Sequence, residues 1–93
     1  IRDSLYIDLR QEKVFCQIDL YTTSLAASLR DYSIQVLQKE AWKTVGEKTG
    51  NTERKNTYRF PPITARYIRV ACTKGDSNGN ARIDQLSVYS VWR

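Results

Sequence analysis

Apolar and polar residues alternate with a period of two along most of this chain, the signature of half-buried β-strands. In "LYIDL" (5–9), Leu5, Ile7 and Leu9 face one way and Tyr6 and Asp8 the other. "VFCQIDLYT" (14–22) is rich in β-formers, but Phe15, Ile18 and Leu20 share one face only if the strand carries a bulge. "YSIQVL" (32–37) alternates cleanly with Ile34 and Val36 inward, and "QKE" reads as a hairpin turn into "AWKTV" (41–45). "NTYRF" (56–60) places Tyr58 and Phe60 together, after which a proline pair turns the chain. The next run sets Ile68, Val70 and Cys72 against Tyr67, Arg69 and Ala71, and "IDQLSVYSVW" (83–92) ends the series with Leu86 and Val88 inward. "SLAASLR" (24–30) suggests a helical turn but is too short for a helix.

Six or seven short strands joined by polar turns predict an all-β fold, an antiparallel β-sandwich rather than βαβ units. "GEKTGNTERKN" (46–56) reads as an exposed loop or hairpin tip. The 93 residues make one domain, 1–93, with a single core, since a chain this size buries roughly 60–65% of its unfolded surface. No apolar run approaches the ~20 residues of a membrane helix. Nothing at the start resembles a signal peptide and there is no initiating Met, so the chain is expected to be part of a longer protein.

The chain contains no His, which removes the commonest general base and the commonest metal ligand. Cys16 and Cys72 lack the second pair that a Cys-rich zinc site needs; their β-like surroundings suit either two buried thiols or a disulfide. Fifteen Lys and Arg against ten Asp and Glu give a net charge of +5, which favours acidic partners such as sulfated or uronic polysaccharides, anionic lipid or nucleic acid. The charges are interleaved, however, as on a mixed solvated surface. The aspartates are dispersed, and no catalysis is expected of so small a chain.

Four features are candidates for chemistry. "TKGDSNGNARID" (73–84) is either a ligand loop or a connector: Asp76, Asn78 and Asn80 offer oxygens and amides, its glycines allow close backbone approach, and Lys74 and Arg82 add charge. Trp42 is read as core rather than as a sugar-stacking platform. Tyr21, Tyr32, Tyr67 and Tyr89 sit at strand ends or on strand faces and could line a groove. Arg66 and Arg69 bracket Ile68, with Arg69 expected to pair with a carboxylate on a neighbouring strand.

The order of segments resembles a known family. "LYIDLRQEKVFCQIDLYT", "DYSIQVLQKEAWKTV", "FPPITARYIRVACTK" and "ARIDQLSVY" together resemble the discoidin superfamily, also called coagulation factor V/VIII type C, which includes carbohydrate-binding module family 32. The resemblance covers residues 5–90 and implies a galactose-binding-like jelly roll that is not catalytic. Family members bind glycans, or in animals phospholipids and cell-surface proteins, through loops at one end. Many bacterial members are appended to secreted glycoside hydrolases. The family's front section has no counterpart before Ile1, and the loop after Tyr21 lacks Arg or Asn. Calcium occurs in the family, but Gln85 stands where the closing strand usually offers a Glu, and no cofactor is expected.

The resemblance and the residues together imply a glycan-binding accessory domain, secreted, periplasmic or at the cell surface. It would bind through Lys74, Asp76, Asn78, Asn80, Arg82, Arg30 and Tyr21, and an acidic glycan if the charge matters. It would belong to the C-terminal part of a longer module, attached to a catalytic domain of the same parent chain. The alternative is a structural module that packs on such a domain without a ligand of its own. Anionic lipid binding would need apolar spikes, for which Leu25 and Leu29 are the candidates, and no nucleic acid partner is expected.

Overall fold

The computed structural model describes residues 3–22, 29–75 and 83–93. They form five antiparallel strands: β1 (Asp3–Thr22), β2 (Leu29–Gln38), β3 (Ala41–Lys48), β4 (Lys55–Gly75) and β5 (Ile83–Tyr89). These make a single sheet in the order β3-β2-β4-β1-β5. The expected six or seven short strands are therefore five. The runs 5–9 and 14–22 are one strand, and β4 runs through Pro61 and Pro62 without a break between strands.

Two long strands turn that one sheet into a sandwich. β1 and β4 have 20 and 21 residues, which would extend about 65 Å at strand rise. The molecule's longest dimension is 36 Å, so both strands must fold over. The β1–β4 ladder shows where: its register slips between Asp8 and Lys13 and again between Phe15 and Gln17, opposite the proline pair. Proline has no N–H to give to a ladder, so it is tolerated where pairing is already interrupted. Arg10 adopts a left-handed φ of 75° at the first slip, and its N–H donates to the Asp8 carboxylate at 2.7 Å. The bulge expected within 14–22 is the second slip.

One layer consists of β3, β2, the C-terminal half of β4 and the N-terminal half of β1. The other consists of the N-terminal half of β4, the C-terminal half of β1 and β5. Ile34, Val36, Ile68 and Val70 from the first meet Phe15, Ile18, Leu20 and Phe60 around the second in one core. Leu86 and Val88 pack against it as the alternation predicts. The layers are also tied by a 2.6 Å hydrogen bond between the hydroxyls of Tyr32 and Tyr58. Tyr58 lies so close to β3 that a Cβ at Gly46 would stand 2.4 Å from its ring, which is why that position takes glycine. Burial pushes both hydroxyls to titrate well above the ordinary tyrosine range.

The β2–β3 hairpin closes with Gln38 opposite Ala41 across a two-residue turn. Lys39 and Glu40 both have positive φ, 48° and 68°, the conformation that matches the right-handed twist of the flanking strands. The turn is thus where the sequence places it, although neither residue is the Gly or Asn such turns favour. Cys16 and Cys72 are separate buried thiols. β5 ends at Tyr89, earlier than expected, and the Trp92 indole N–H then donates to the carbonyls of Cys16 (3.1 Å) and Phe60 (3.3 Å). The "SLAASLR" turn falls mostly on residues 23–28, outside the described residues, and Leu29 and Arg30 open β2.

Candidate binding site

Folding the sheet over brings both ends of β1, the start of β2 and the end of β4 to one end of the molecule. Two main-chain bonds hold them: Thr22 N–H donates to Arg54 O at 2.8 Å, and Asn51 N–H donates to Arg30 O at 3.0 Å. Segment 49–54 is therefore a strap from the end of β1 to the start of β2, not a free loop. Asn51 anchors it from full burial. Its Oδ1 accepts from Glu53 N–H (3.0 Å) and Asn56 Nδ2 (3.1 Å), and its Nδ2 donates to Glu53 O (3.1 Å). Gly50, at φ 61°, donates its N–H to Asp31 Oδ1 at 2.8 Å. Buried polar groups must be paired, and these polar residues pair with each other.

Beside this strap lies a cavity of about 390 Å³ lined by Tyr21, Thr22, Arg54, Lys55, Asp84 and Gln85. Tyr21 reaches it from β1, flanked in register by Lys55 of β4 and Gln85 of β5. The Lys55 ammonium stands 5.6 Å from the centre of the Tyr21 ring and 3.8 Å from the buried Asp19 carboxylate. Thr22 is buried, and its Oγ1 has no hydrogen-bond partner among the described residues. An aromatic face ringed by a guanidinium, an ammonium, a carboxylate and an amide suits a polyhydroxylated ligand: ring C–H groups pack on the tyrosine while hydroxyls take the polar rim. Among the described residues no three acidic, His or Cys side chains converge to hold a metal ion.

Of the residues singled out from the sequence, Tyr21 lines this cavity. Arg30 opens β2 at the same end, its carbonyl held by the strap. Lys74 is paired in register with Asp31. Asp76, Asn78, Asn80 and Arg82 lie outside the described residues. Gly75 and Ile83, the nearest described residues, pair with Leu29 and Thr22. Sequence reasoning missed Arg54, Lys55 and Asp84 as cavity residues. The cations of "TERK" were visible, but as part of a polar run that read as solvated surface.

The outer face of the first layer overturns two expectations. Trp42 is not core: it lies half-exposed, with the Arg69 guanidinium 4.3 Å from its ring centre and the Tyr6 ring edge-on at 6.1 Å. Among the described residues no carboxylate pairs with Arg69; its Nε donates to Gln35 Oε1 at 2.6 Å. The arginine that takes a carboxylate is Arg66, whose Nε and terminal nitrogen bond Asp8 at 2.7 and 3.0 Å. That fork and the Arg10 N–H hold the Asp8 carboxyl down at about 2.

A family model for the F5/8 type C domain matches residues 2–86. The chain belongs to the F5/8 type C domain family. No curated protein matches the chain. Solved structures similar to this F5/8 type C domain include the family 32 carbohydrate-binding module of Streptococcus pneumoniae EndoD. The two are 20% identical with a TM-score of 0.80, over 95% of this chain and 69% of that one. The family 32 module of Clostridium perfringens NanJ, in complex with galactose, is 24% identical with a TM-score of 0.77, over 91% of this chain and 64% of that one. SpGH29 is 25% identical with a TM-score of 0.77, over 96% of this chain and 19% of that one. The chain thus spans about two thirds of the length of these modules and a fifth of SpGH29. The fold is the galactose-binding-like β-sandwich, and the family and the modules it resembles are non-catalytic.

Proposed function

We propose that this domain binds a glycan at the loop end, with the cavity around Tyr21 as the centre of the site. The observation that carries the proposal is that cavity: about 390 Å³, an aromatic wall from β1, and charged or amide groups from the strap, β4 and β5. A site of that size takes one or two sugar rings rather than a long chain. Tyr21 supplies the stacking surface, Arg54 and Lys55 donate to hydroxyl or acidic oxygens, and Asp84 and Gln85 accept or bridge. Lys74, near the end of β4, and Arg30, near the start of β2, are further candidates at this end, and Asp76, Asn78, Asn80 and Arg82 are candidates from the sequence alone.

The domain works as a binding accessory, residues 1–93 making up the C-terminal part of a longer module or protein that is secreted, periplasmic or at the cell surface. Similarity to a fifth of a much longer chain supports that context. A glycan array read with the domain, followed by titration calorimetry with galactose and with each array hit, tests the binding. Binding that falls at least tenfold on Tyr21→Ala and on Arg54→Ala supports the site. Silence across neutral and acidic glycans overturns it.

A further inference from the structure

The outer face of the first layer carries a ridge that runs perpendicular to its strands. Tyr6 of β1, Arg69 of β4 and Gln35 of β2 share one row of the sheet, and Trp42 of β3 reaches in from the next row. Because Tyr6 and Trp42 belong to the outermost strands of this layer, about 14 Å apart at the usual strand spacing, their contact means both lie flat across the sheet. Tyr6 remains 63% exposed, and Tyr67, in the neighbouring row, 37% exposed. Beside the ridge, towards the loop end, Ser33 and Ala71 leave a hollow of about 230 Å³ walled by Asp31, Glu47, Lys48 and Thr73.

The two arginines of β4 differ here. Arg66 spends its fork on Asp8, so that pair is self-compensated. Arg69 is held just as firmly, stacked on Trp42 and anchored through Nε to the neutral Gln35, yet no carboxylate of a described residue pairs with it. A guanidinium fixed by stacking and by one nitrogen keeps its terminal nitrogens for a planar anion, at little further cost in side-chain entropy. The flanking tyrosine faces are surfaces on which sugar C–H groups pack.

We propose that this face is a second glycan site, separate from the loop end, that takes an acidic polysaccharide: the sugar carboxylate on Arg69 and the sugar rings along Tyr6 and Tyr67. Charge complementarity argues for the occupant. The chain carries +5, and Arg69 is the charge on this ridge that its own neighbours leave uncompensated. A bare phosphate surface would use the charge but not the aromatic width.

Affinity electrophoresis of the domain in gels containing polygalacturonate or uncharged galactan tests the proposal, with retardation on polygalacturonate expected and little on galactan. Arg69→Gln is expected to weaken retardation at least tenfold. Arg69→Lys, which keeps the charge but not the fork, should weaken it severalfold, and Lys13→Gln, which removes one exposed charge elsewhere, should have no effect. In ¹⁵N spectra the Trp42 indole N–H should shift on adding trigalacturonate while that of Trp92 stays in place; the undisturbed Trp92 signal also reports that Arg69→Gln is folded. The proposal is overturned by absence of retardation, by equal losses in Arg69→Gln and Lys13→Gln, or by equal affinity for double-stranded DNA, which would mean general polyanion attraction. Loss on Arg54→Ala with none on Arg69→Gln would leave the loop-end reading intact and sink this one.

Discussion

The two outer faces of the sandwich are built from similar residues and come out opposite. On the second layer, Gln17 is only 1% exposed although it points away from the core. Its amide donates to Asp19 (3.0 Å) and its Oε1 accepts from Arg59 Nε (3.2 Å) and from the main-chain N–H of Arg93 (2.7 Å). An Arg59 terminal nitrogen bonds the Arg93 carbonyl, the Arg93 guanidinium covers Tyr89 at 5.0 Å, and Lys55 meets Asp19. That network closes on itself. On the first layer the ridge of Tyr6, Trp42 and Arg69 also combines cation, amide and aromatic, but Tyr6 stays exposed, and among the described residues no carboxylate pairs with the arginine. Both arrangements stabilise the sheet; the open one leaves Arg69 half-exposed beside its tyrosines.

Four predictions probe the contrast. The largest effect is expected from Gln17→Ala, which empties a buried position and removes the partner of the buried Asp19 and of the N–H groups of Arg59 and Arg93, and should cost about 2–3 kcal/mol in urea unfolding. A cost below that of Arg69→Gln would mean the closed network is not the more structural one. Next comes alkaline stability, which reports on the Tyr32–Tyr58 bond between the layers. Both hydroxyls hold their protons to higher pH in the folded state than in the unfolded chain, so their contribution is complete below pH 10 and declines as pH rises above it. The decline should approach about 1.4 kcal/mol per pH unit for Tyr32, with Tyr58 contributing in the same direction. Urea midpoints from pH 9 to 11 should fall, and fall less steeply in a Tyr32→Phe/Tyr58→Phe double variant.

A smaller effect is expected from Arg69→Gln, where loss of the half-exposed stack on Trp42 should cost roughly 1 kcal/mol. A much larger cost would make the ridge a structural cover like the other face. The smallest change is at Asp8. Its carboxyl should titrate near 2 by NMR and return towards 3.8 in Arg66→Gln. Because that carboxyl is lowered in the folded state, its contribution is present above pH 3.8 and lost as pH falls towards 2. Its exposure keeps the effect on stability slight. An unshifted Asp8 would remove the distinction drawn between Arg66 and Arg69.

Much of the fold was legible. Alternation put Ile34, Val36, Ile68, Val70, Tyr58 and Phe60 inward, and the broken alternation at Phe15 and Ile18 required the bulge that is found between Phe15 and Gln17. The loop-end site was legible in part. Tyr21 was singled out, while Arg54, Lys55 and Asp84 were not, because a run such as "GNTERK" looks the same whether it hangs in solvent or straps two strand ends together. Trp42 misled for a related reason. A period of two says that neighbours point apart, not which side the core is on, and at an edge strand either face suits a large aromatic.

Local steric and hydrophobic preferences act over a few residues, so the sequence alone determined the all-β class, most of the inward positions, a hairpin turn at "QKE" and, through the order of its motifs, the family. What required the tertiary structure was everything set by contacts between residues far apart in the chain. That includes the fold-over of β1 and β4 at Arg10 and the proline pair, and the gathering of Tyr21, Arg54 and Asp84 into one cavity. It also includes the partition of carboxylates, which gave Asp8 to Arg66 and left Arg69 to Trp42 and Gln35. Those pairings depend on strand order and register, and the pattern of a single strand carries neither.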